Sequence, residues 1–251
     1  MNRYFMYLAY SGTHYCGWQR QPNAPSVQQC METTLATILR QPVPLTAAGR
    51  TDAGVHARCM VAHFDREEPV EDLPLLAEKL NRLLPNDIAV NRMVPVRPDA
   101  HARFNALSRT YQYVISDRKN PFEHAWVCRM SLKGMDFELM NEACLALPEA
   151  KDFTSFSKLH TDVRTNRCQV THAAWEQEGE RQVFTIRADR FLRNMVRAIV
   201  GTLFEVGRGK RTVADFRRLI EEGNRSLAGS SAPAKGLALT EVVYPDYLFL
   251  L

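Results

Sequence analysis

The 251-residue sequence contains no long apolar run and no N-terminal stretch typical of a secretory signal peptide. A helix needs about 20 consecutive apolar residues to cross a bilayer, so we expect a cytoplasmic protein. The six cysteines are widely spread without a C-x-x-C pair, a pattern typical neither of a disulfide framework nor of a structural zinc site. The seven histidines form no H-E-x-x-H motif, and we expect no metal ion.

Motifs of the common nucleotide enzymes are also absent. The chain has no G-x-x-x-x-G-K-[ST] phosphate loop, no G-x-G-x-x-G dinucleotide motif and no G-x-S-x-G nucleophile elbow. These absences remove the usual support for nucleotide hydrolysis and dinucleotide redox chemistry. The net charge of +4 is too small to prove a nucleic-acid partner, although it permits one.

The order of the predicted elements indicates an α+β protein. Strand patterns and apolar stripes at helical spacing occur in both halves of the chain, so two similar halves are one interpretation. Ser26 with Gln29 has the spacing of a helix capping box, and Asp136 and Thr212 stand where further helix caps are expected. Gly179 is placed in the turn of a predicted hairpin.

The most distinctive stretch is a loop predicted between two strands, residues 49–57. It holds two glycines, Arg50 and Asp52, with no second acid nearby. Glycine permits backbone conformations that other residues rarely adopt, so a carboxylate on this loop is a candidate for a position at a cleft. Aspartate is also common in turns, and local chemistry alone favours that structural interpretation.

Positive charge is concentrated in residues 187–218, where nine basic and three acidic side chains give a net charge of +6. An apolar helix is predicted from Arg190 to about Val206, with Arg193 and Arg197 on one face. Unpaired arginines are costly to bury, so at least one should meet a carboxylate or a phosphate. The pattern fits a contact with a phosphate backbone and a solvated basic face about equally well.

A third region interleaves basic and aromatic residues over positions 101–113. Alternation along a predicted strand places Tyr111 and Tyr113 on one face, where a ring can stack on an exposed base. Tyrosines that fill the core of a half-buried strand are the alternative, and without further information it is the more frequent one. The residues alone thus predict a nucleic-acid-binding α+β protein with one candidate catalytic aspartate.

Five motifs together resemble those of the tRNA pseudouridine synthase A family, in the family's order and over nearly the whole chain. They are G-W-Q-R-Q at 17–21, G-R-T-D-A-G-V-H at 49–56, H-A-R-F at 101–104, D-F-T-S-F at 152–156 and M-V-R at 195–197. The G-R-T-D-A-G motif is highly specific, whereas the last two would be weak alone. The resemblance implies the pseudouridine synthase fold, in which two α/β halves with antiparallel sheets join into one mixed central sheet beside an active-site cleft.

The resemblance places the catalytic Asp loop in an N-terminal half, residues 1–107, and the stacking tyrosine and the arginine-rich helix in a C-terminal half, residues 108–251. It implies isomerisation of uridine to pseudouridine at positions 38, 39 and 40 in the anticodon arm of tRNA. The enzyme is expected to be a homodimer without a cofactor. The bond from ribose C1′ to uracil N1 breaks, the base turns while held, and C1′ rejoins at C5.

Site residues are carried over by motif. Asp52 is expected to be the nucleophile, Arg197 the cation that pairs with and orients it, and Tyr111 the ring that stacks on the target uracil. The base must be flipped out, and Arg50 is the candidate to fill the vacated space. The remaining expected substrate-binding residues are Thr51, His56 and Arg103.

Two other functions stay open on the sequence. A catalytically silent tRNA-binding or chaperone module would use the same basic face without needing Asp52. A nucleoside glycosidase would normally need a second carboxylate or a positioned water. Three chemical routes also remain for Asp52, namely attack at C6 of the base, attack at C1′, or help in removing the C2′ proton.

Overall fold

A computed structural model describes residues 1–158 and 165–250 of the chain. These residues form two compact units, unit 1 with Met1–Ser108 and Leu239–Leu251, and unit 2 with Arg109–Ala238. Each unit combines an antiparallel sheet with helices. The α+β class predicted from the sequence is therefore confirmed, as are antiparallel sheets in both parts of the chain.

Unit 1 is built on a sheet whose central strand is β1 (Asn2–Tyr10). This strand pairs antiparallel with β3 (His56–Arg66) on one side and with β4 (Ile88–Val96) on the other. The short β2 (Thr46–Ala47) pairs with β3, and β9 (Leu237–Val243) is a further neighbour of β3. Two helices complete the unit, α1 (Val27–Leu39) and α2 (Leu73–Leu83), and α2 packs on β4.

The helices of unit 1 begin at capping side chains. The hydroxyl of Ser26 accepts a hydrogen bond from Gln29 N at 3.3 Å, as predicted, and α1 ends at Arg40, whose backbone is left-handed with φ 54°. The carboxylate of Asp72 accepts a hydrogen bond from Leu75 N at 2.7 Å. Such caps satisfy N–H groups that lack a partner within the helix. One face of α1 is buried at helical spacing: Val27, Met31 and Leu35.

The C-terminal residues 239–250 belong to unit 1, whereas the sequence-based division placed them in the second half. Leu250 N donates a hydrogen bond to Pro95 O at 3.2 Å, and Tyr244 OH donates to Ala102 O at 2.6 Å. These partners are more than a hundred residues apart in the sequence. Local patterns carry no information about such pairings, so the position of this segment followed only from the fold.

His63 on β3 is a buried titratable residue below the turn formed by residues 101–105. Its Nδ1 accepts a hydrogen bond from Ala102 N at 3.1 Å, which requires this nitrogen to be unprotonated. Burial, with the nearby positive charge of Arg3 and the neighbouring His101, lowers the pKa of His63 to about 4.

We expect the free energy of unfolding to fall as the pH drops from about 6.5 to about 4, because only the unfolded chain binds a proton on His63 in this range. Above about pH 6.5 His63 is neutral in both the folded and the unfolded chain, so its contribution to the free energy of unfolding no longer changes with pH. In His63→Asn the amide oxygen can accept the same hydrogen bond without titrating, so the slope of stability against pH should decrease. Urea unfolding at several pH values measures both slopes, and equal slopes would contradict the prediction. His101, whose pKa burial also lowers, leaves a residual slope.

The longer strands of unit 2 also pair antiparallel. Of these, β8 (Arg181–Ala188) lies between β5 (Ser108–Ser116) and β7 (Val170–Glu178), and the short β6 (Cys128–Arg129) pairs parallel with β5. Gly179, with φ 61°, lies in the turn between β7 and β8, so the predicted hairpin is confirmed. The helices of the unit are α3 (Phe137–Cys144), α4 (Ala146–Glu149), α5 (Met195–Gly207) and α6 (Val213–Glu222). None of the helices in residues 1–158 and 165–250 is long and apolar enough to cross a membrane.

The predicted caps of α3 and α6 are confirmed. The Asp136 carboxylate accepts a hydrogen bond from Leu139 N at 2.9 Å. Thr212 Oγ1 accepts from Asp215 N at 3.1 Å, while the Asp215 carboxylate accepts from Thr212 N at 3.2 Å, which is a complete capping box. Gly223 ends α6 with φ 62°. Local sequence determines these helix ends.

The helix α5 begins later than predicted. It starts at Met195 instead of Arg190, because Asn194 has a left-handed backbone with φ 65° that a continuous helix cannot contain. Arg190 and Arg193 therefore precede the helix. The prediction that Arg193 and Arg197 share a helical face was wrong. Apolar periodicity does not reveal a single left-handed residue, which explains the error.

Candidate active site

Asp52 lies in the loop between β2 and β3 of unit 1 and is a partly exposed residue. Val55 N donates a hydrogen bond to the backbone oxygen of Asp52 at 3.1 Å. The turn that this bond closes contains Gly54, which has φ 76°. The turn therefore uses the backbone of Asp52, and this hydrogen bond does not need the carboxylate.

The segment after β1, residues 11–18, holds this loop, and we call it the clamp. Trp18 N donates a hydrogen bond to Thr51 O at 3.3 Å, and Gly54 N donates to Tyr15 O at 3.2 Å. The two bonds lie on opposite sides of Asp52 in the sequence. The backbone that carries the carboxylate is thus fixed on both sides.

Thr51 and His56, two of the expected substrate-binding residues, are buried and bond within unit 1. The hydroxyl oxygens of Thr51 and Tyr10 are 2.8 Å apart. Gly12 N donates a hydrogen bond to Nδ1 of His56 at 3.0 Å, so the first residue of β3 is bound to the clamp. Both side chains contribute to the position of the loop.

Gly12 and Gly17 allow the clamp to approach the loop more closely than any side chain would permit. A Cβ atom on Gly17 would lie 2.3 Å from Thr51 O, and Gly17 has φ 94°. A Cβ atom on Gly12 would lie 2.1 Å from Val55 O. The sequence predicts a turn at Gly12 after the first strand, but it does not reveal either close approach. Gly17 belongs to the G-W-Q-R-Q motif, but the motif does not show what the glycine contacts, because its contact is with Thr51, far away in the chain.

Arg50 and Arg103 are both exposed residues of unit 1. Arg50 lies two positions before Asp52 in the same loop, whereas Arg103 belongs to the separate turn at 101–105. An exposed guanidinium can bind a phosphate through two parallel hydrogen bonds. The structure thus gives both residues a location compatible with the predicted contact to RNA.

Tyr111 and Tyr113 on β5 of unit 2 have different surroundings. Tyr113 is fully buried, donates a hydrogen bond to Pro233 O at 2.8 Å, and leaves no room for a Cβ atom on Gly236, which would lie 2.8 Å from its ring. Burial raises the pKa of Tyr113 far above its ordinary value. Tyr111 is partly exposed and meets Phe191 edge to face at 5.1 Å. The core-filling interpretation is therefore confirmed for Tyr113, whereas Tyr111 is not fully buried.

Arg197 on α5 is bound to the loop that precedes β9. Its Nε donates a hydrogen bond to Ala232 O at 2.7 Å, and Ala232 N donates to Arg197 O at 2.8 Å. The loop lies close to the helix because Gly201 has no side chain; a Cβ atom there would lie 1.8 Å from Ser230 O. A backbone carbonyl is thus one partner of this partly buried guanidinium, and the contact fixes its direction.

Basic side chains of the segment 187–218 have two kinds of surroundings, since some form ion pairs and others line a cleft. Arg211 and Glu205 form an ion pair at 3.1 Å, which neutralises part of the charge. Arg208 and Lys210 line a cleft of about 390 Å³ in unit 2. Both interpretations of this segment, a phosphate contact and a solvated face, are compatible with this arrangement.

A family model described as tRNA pseudouridine synthase matches residues 6–105 and 150–245 of the chain. The chain is 61% identical over 249 residues to tRNA pseudouridine synthase A of Parabacteroides distasonis, across 99% of this chain and 98% of the relative. The protein of the same name from Bacteroides fragilis is 59% identical over 250 residues, 99% of each chain. That from Pseudoalteromonas translucida is 39% identical over 243 residues, 95% of this chain and 90% of the relative.

The chain belongs to the tRNA pseudouridine synthase family. The resemblance inferred from the five motifs is confirmed, and the protein is an isomerase that acts on tRNA. Among the predicted site residues of this synthase, only Tyr111 lies outside the matched ranges. The clamp and the Asp52 loop both lie within them.

Proposed function

We propose that the enzyme converts uridine to pseudouridine at positions 38, 39 and 40 in the anticodon arm of tRNA, with Asp52 as the nucleophile. The observation that carries this proposal is the position of Asp52, a partly exposed residue on a loop whose backbone is fixed on both sides. The reaction breaks the N1–C1′ bond, forms the C5–C1′ bond and releases the C5 hydrogen to water as a proton, while N1 gains one. Substrate and product are isomers, so the step needs no net oxidation.

Fixation of the loop supports a catalytic role for Asp52. A nucleophile held near its reactive position avoids the entropy cost of being ordered during the reaction, which contributes several kcal/mol to catalysis. Thr51 and His56 serve this purpose as positioning residues, because their buried side chains bond to Tyr10 and to the clamp.

Arg197 is the second proposed catalytic residue, as the cation that orients the nucleophile, and Tyr111 is the ring that stacks on the target uracil. Their own surroundings in unit 2 support these roles. The Arg197 guanidinium is held by Ala232 O, and the Tyr111 ring is held edge to face by Phe191. The uridine is flipped out of the stem or loop, and the exposed Arg50 fills the space that it leaves.

A cytoplasmic homodimer is the proposed form of the enzyme. An L-shaped tRNA is larger than a 28.6 kDa subunit. The basic cleft lined by Arg208 and Lys210 supplies positive charge for the RNA backbone.

Tritium release tests the proposed reaction. Wild-type enzyme is incubated with tRNA that carries uridine labelled at C5, without added nucleotide, and tritium in water is counted. Release is expected from tRNA with uridine at positions 38 to 40, and none from a matched transcript with cytidine at all three. Release from both transcripts would contradict the proposed positions, and release from neither would contradict the proposed reaction.

We expect Tyr111→Ala to lower kcat/KM about tenfold to a hundredfold, whereas Tyr111→Phe keeps most of the activity. Stacking of one base on an aromatic ring contributes about 1–3 kcal/mol, and it does not need the hydroxyl. Steady-state tritium release with both variants measures the difference. Equal losses in the two variants would assign the role to the hydroxyl and contradict the stacking proposal.

A further inference from the structure

The turn at residues 101–105 in unit 1 is closed by its own hydrogen bonds. His101 N donates to the side-chain oxygen of Asn105 at 2.6 Å, and Asn105 N donates to His101 O at 3.0 Å. Nδ1 of His101 accepts from Arg103 N at 3.1 Å and from Phe104 N at 3.4 Å. These bonds engage the backbone N–H groups of four of the five residues of the turn, all except Ala102.

Ala102 anchors this turn to the core of unit 1. It is fully buried, its N–H donates to His63 on β3 at 3.1 Å, and its carbonyl accepts from Tyr244 OH at 2.6 Å. The imidazole of His101 meets that of His63 at 4.7 Å between ring centroids. The turn is thus attached both to β3 and to the C-terminal segment.

Phe104 is presented to solvent by this fixed turn, with 74% of its surface exposed. The His101 ring lies beside it at 4.2 Å between centroids, and the guanidinium carbon of Arg103 lies 5.7 Å from its ring centroid. Exposed phenylalanines are not unusual by themselves. This one combines a fixed backbone, which lowers the entropy cost of binding, with an adjacent cation, and these are the components of surfaces that bind unpaired nucleotides.

We propose that Phe104 is a stacking platform for an unpaired, non-reacting nucleobase of the tRNA, and that Arg103 contacts a phosphate beside that base. The inference rests on the proposed action at the anticodon arm, whose loop supplies unpaired bases. The platform differs from Tyr111, which is proposed to hold the reacting uracil. Stacking tolerates every base because each has a π face, so one platform serves tRNAs with different loop sequences.

Binding of a fluorescein-labelled anticodon stem–loop RNA to the 251-residue protein, followed by fluorescence anisotropy, tests the platform. Phe104→Ala is expected to raise Kd about tenfold and Phe104→Trp to restore it, because alanine removes the ring on which the base stacks and tryptophan replaces it. Phe122→Ala is the matched control, since Phe122 is 93% exposed and lies outside the ranges that match the family model. Its Kd should equal that of the wild type, and an equal loss in both alanine variants would overturn the inference.

An abasic scan of the RNA loop identifies the base. One abasic position should raise the Kd of the wild type about as much as Phe104→Ala does. The same abasic RNA should not raise the Kd of Phe104→Ala any further. If every abasic effect persists in full in Phe104→Ala, or if this variant binds like the wild type, the inference is overturned. Tritium release by the wild type on intact tRNA is measured in parallel. If the wild type releases no tritium, the proposed function is overturned. If it releases tritium but Phe104→Ala binds the RNA with the Kd of the wild type, only the stacking platform is overturned.

Discussion

Asp52→Asn is expected to abolish turnover, with a loss on the order of 10⁴-fold or more, while the protein stays folded and keeps most of its affinity for tRNA. The amide has nearly the shape of the carboxylate but is neither ionised nor nucleophilic. The turn persists, because Val55 N donates to the backbone oxygen of Asp52. Loss of activity would therefore report on chemistry and not on folding.

Single-turnover tritium release, a tRNA binding curve and thermal unfolding together check this prediction. Asp99→Asn is a suitable control, since Asp99 is an exposed aspartate of unit 1 that pairs with Arg97 at 3.1 Å. It should turn over at the wild-type rate. Turnover by Asp52→Asn at a rate comparable with that of Asp99→Asn would remove Asp52 from the chemistry and favour a role in the turn alone.

The expected loss does not depend on the chemical route. Attack of Asp52 at C6 of the base, attack at C1′ and assistance in removing the C2′ proton all use the ionised carboxylate. The three routes differ in the atom that the carboxylate meets. Asp52→Asn therefore tests the residue, and isotope effects at C2′ would distinguish the route through C2′ proton removal from the others.

Gly17→Ala is expected to lower kcat by about 100-fold, with a smaller change in KM for tRNA. A Cβ atom on Gly17 would lie 2.3 Å from Thr51 O, so the loop or the clamp must move. The displaced backbone is that of Thr51 and hence of Asp52, and a misplacement of about 1 Å at a reacting group costs on the order of 100-fold in rate.

Gly134→Ala in unit 2 is the matched control for backbone strain. Gly134 has φ 71°, but a Cβ atom there would meet nothing within 4 Å. Both variants should lose stability, about 1 kcal/mol at Gly134 from the left-handed backbone, whereas only Gly17→Ala should lose turnover. If Gly17→Ala unfolds at a lower temperature but keeps its kcat, the clamp does not position the nucleophile.

The sequence by itself determined the α+β class, the capped starts of three helices and the family. Ser26, Asp136 and Thr212 cap helices where predicted, because a cap forms between residues three positions apart. The G-R-T-D-A-G motif was also recognised from a local signal as a loop between strands, since glycine and aspartate affect the backbone next to them. The family match over most of the chain agrees with these local signals.

Only the tertiary structure decided how the candidate residues are held and which of them are accessible. Tyr111 and Tyr113 have the same strand pattern, yet packing against Pro233 and Gly236 buries one of them and leaves the other partly exposed. The clamp, the exposed ring of Phe104 and the place of residues 239–250 in unit 1 likewise depend on contacts between distant parts of the chain. Secondary-structure propensity depends on a few neighbouring residues. Burial and the close approach of two backbone segments depend instead on residues that are distant in the sequence and adjacent in the fold.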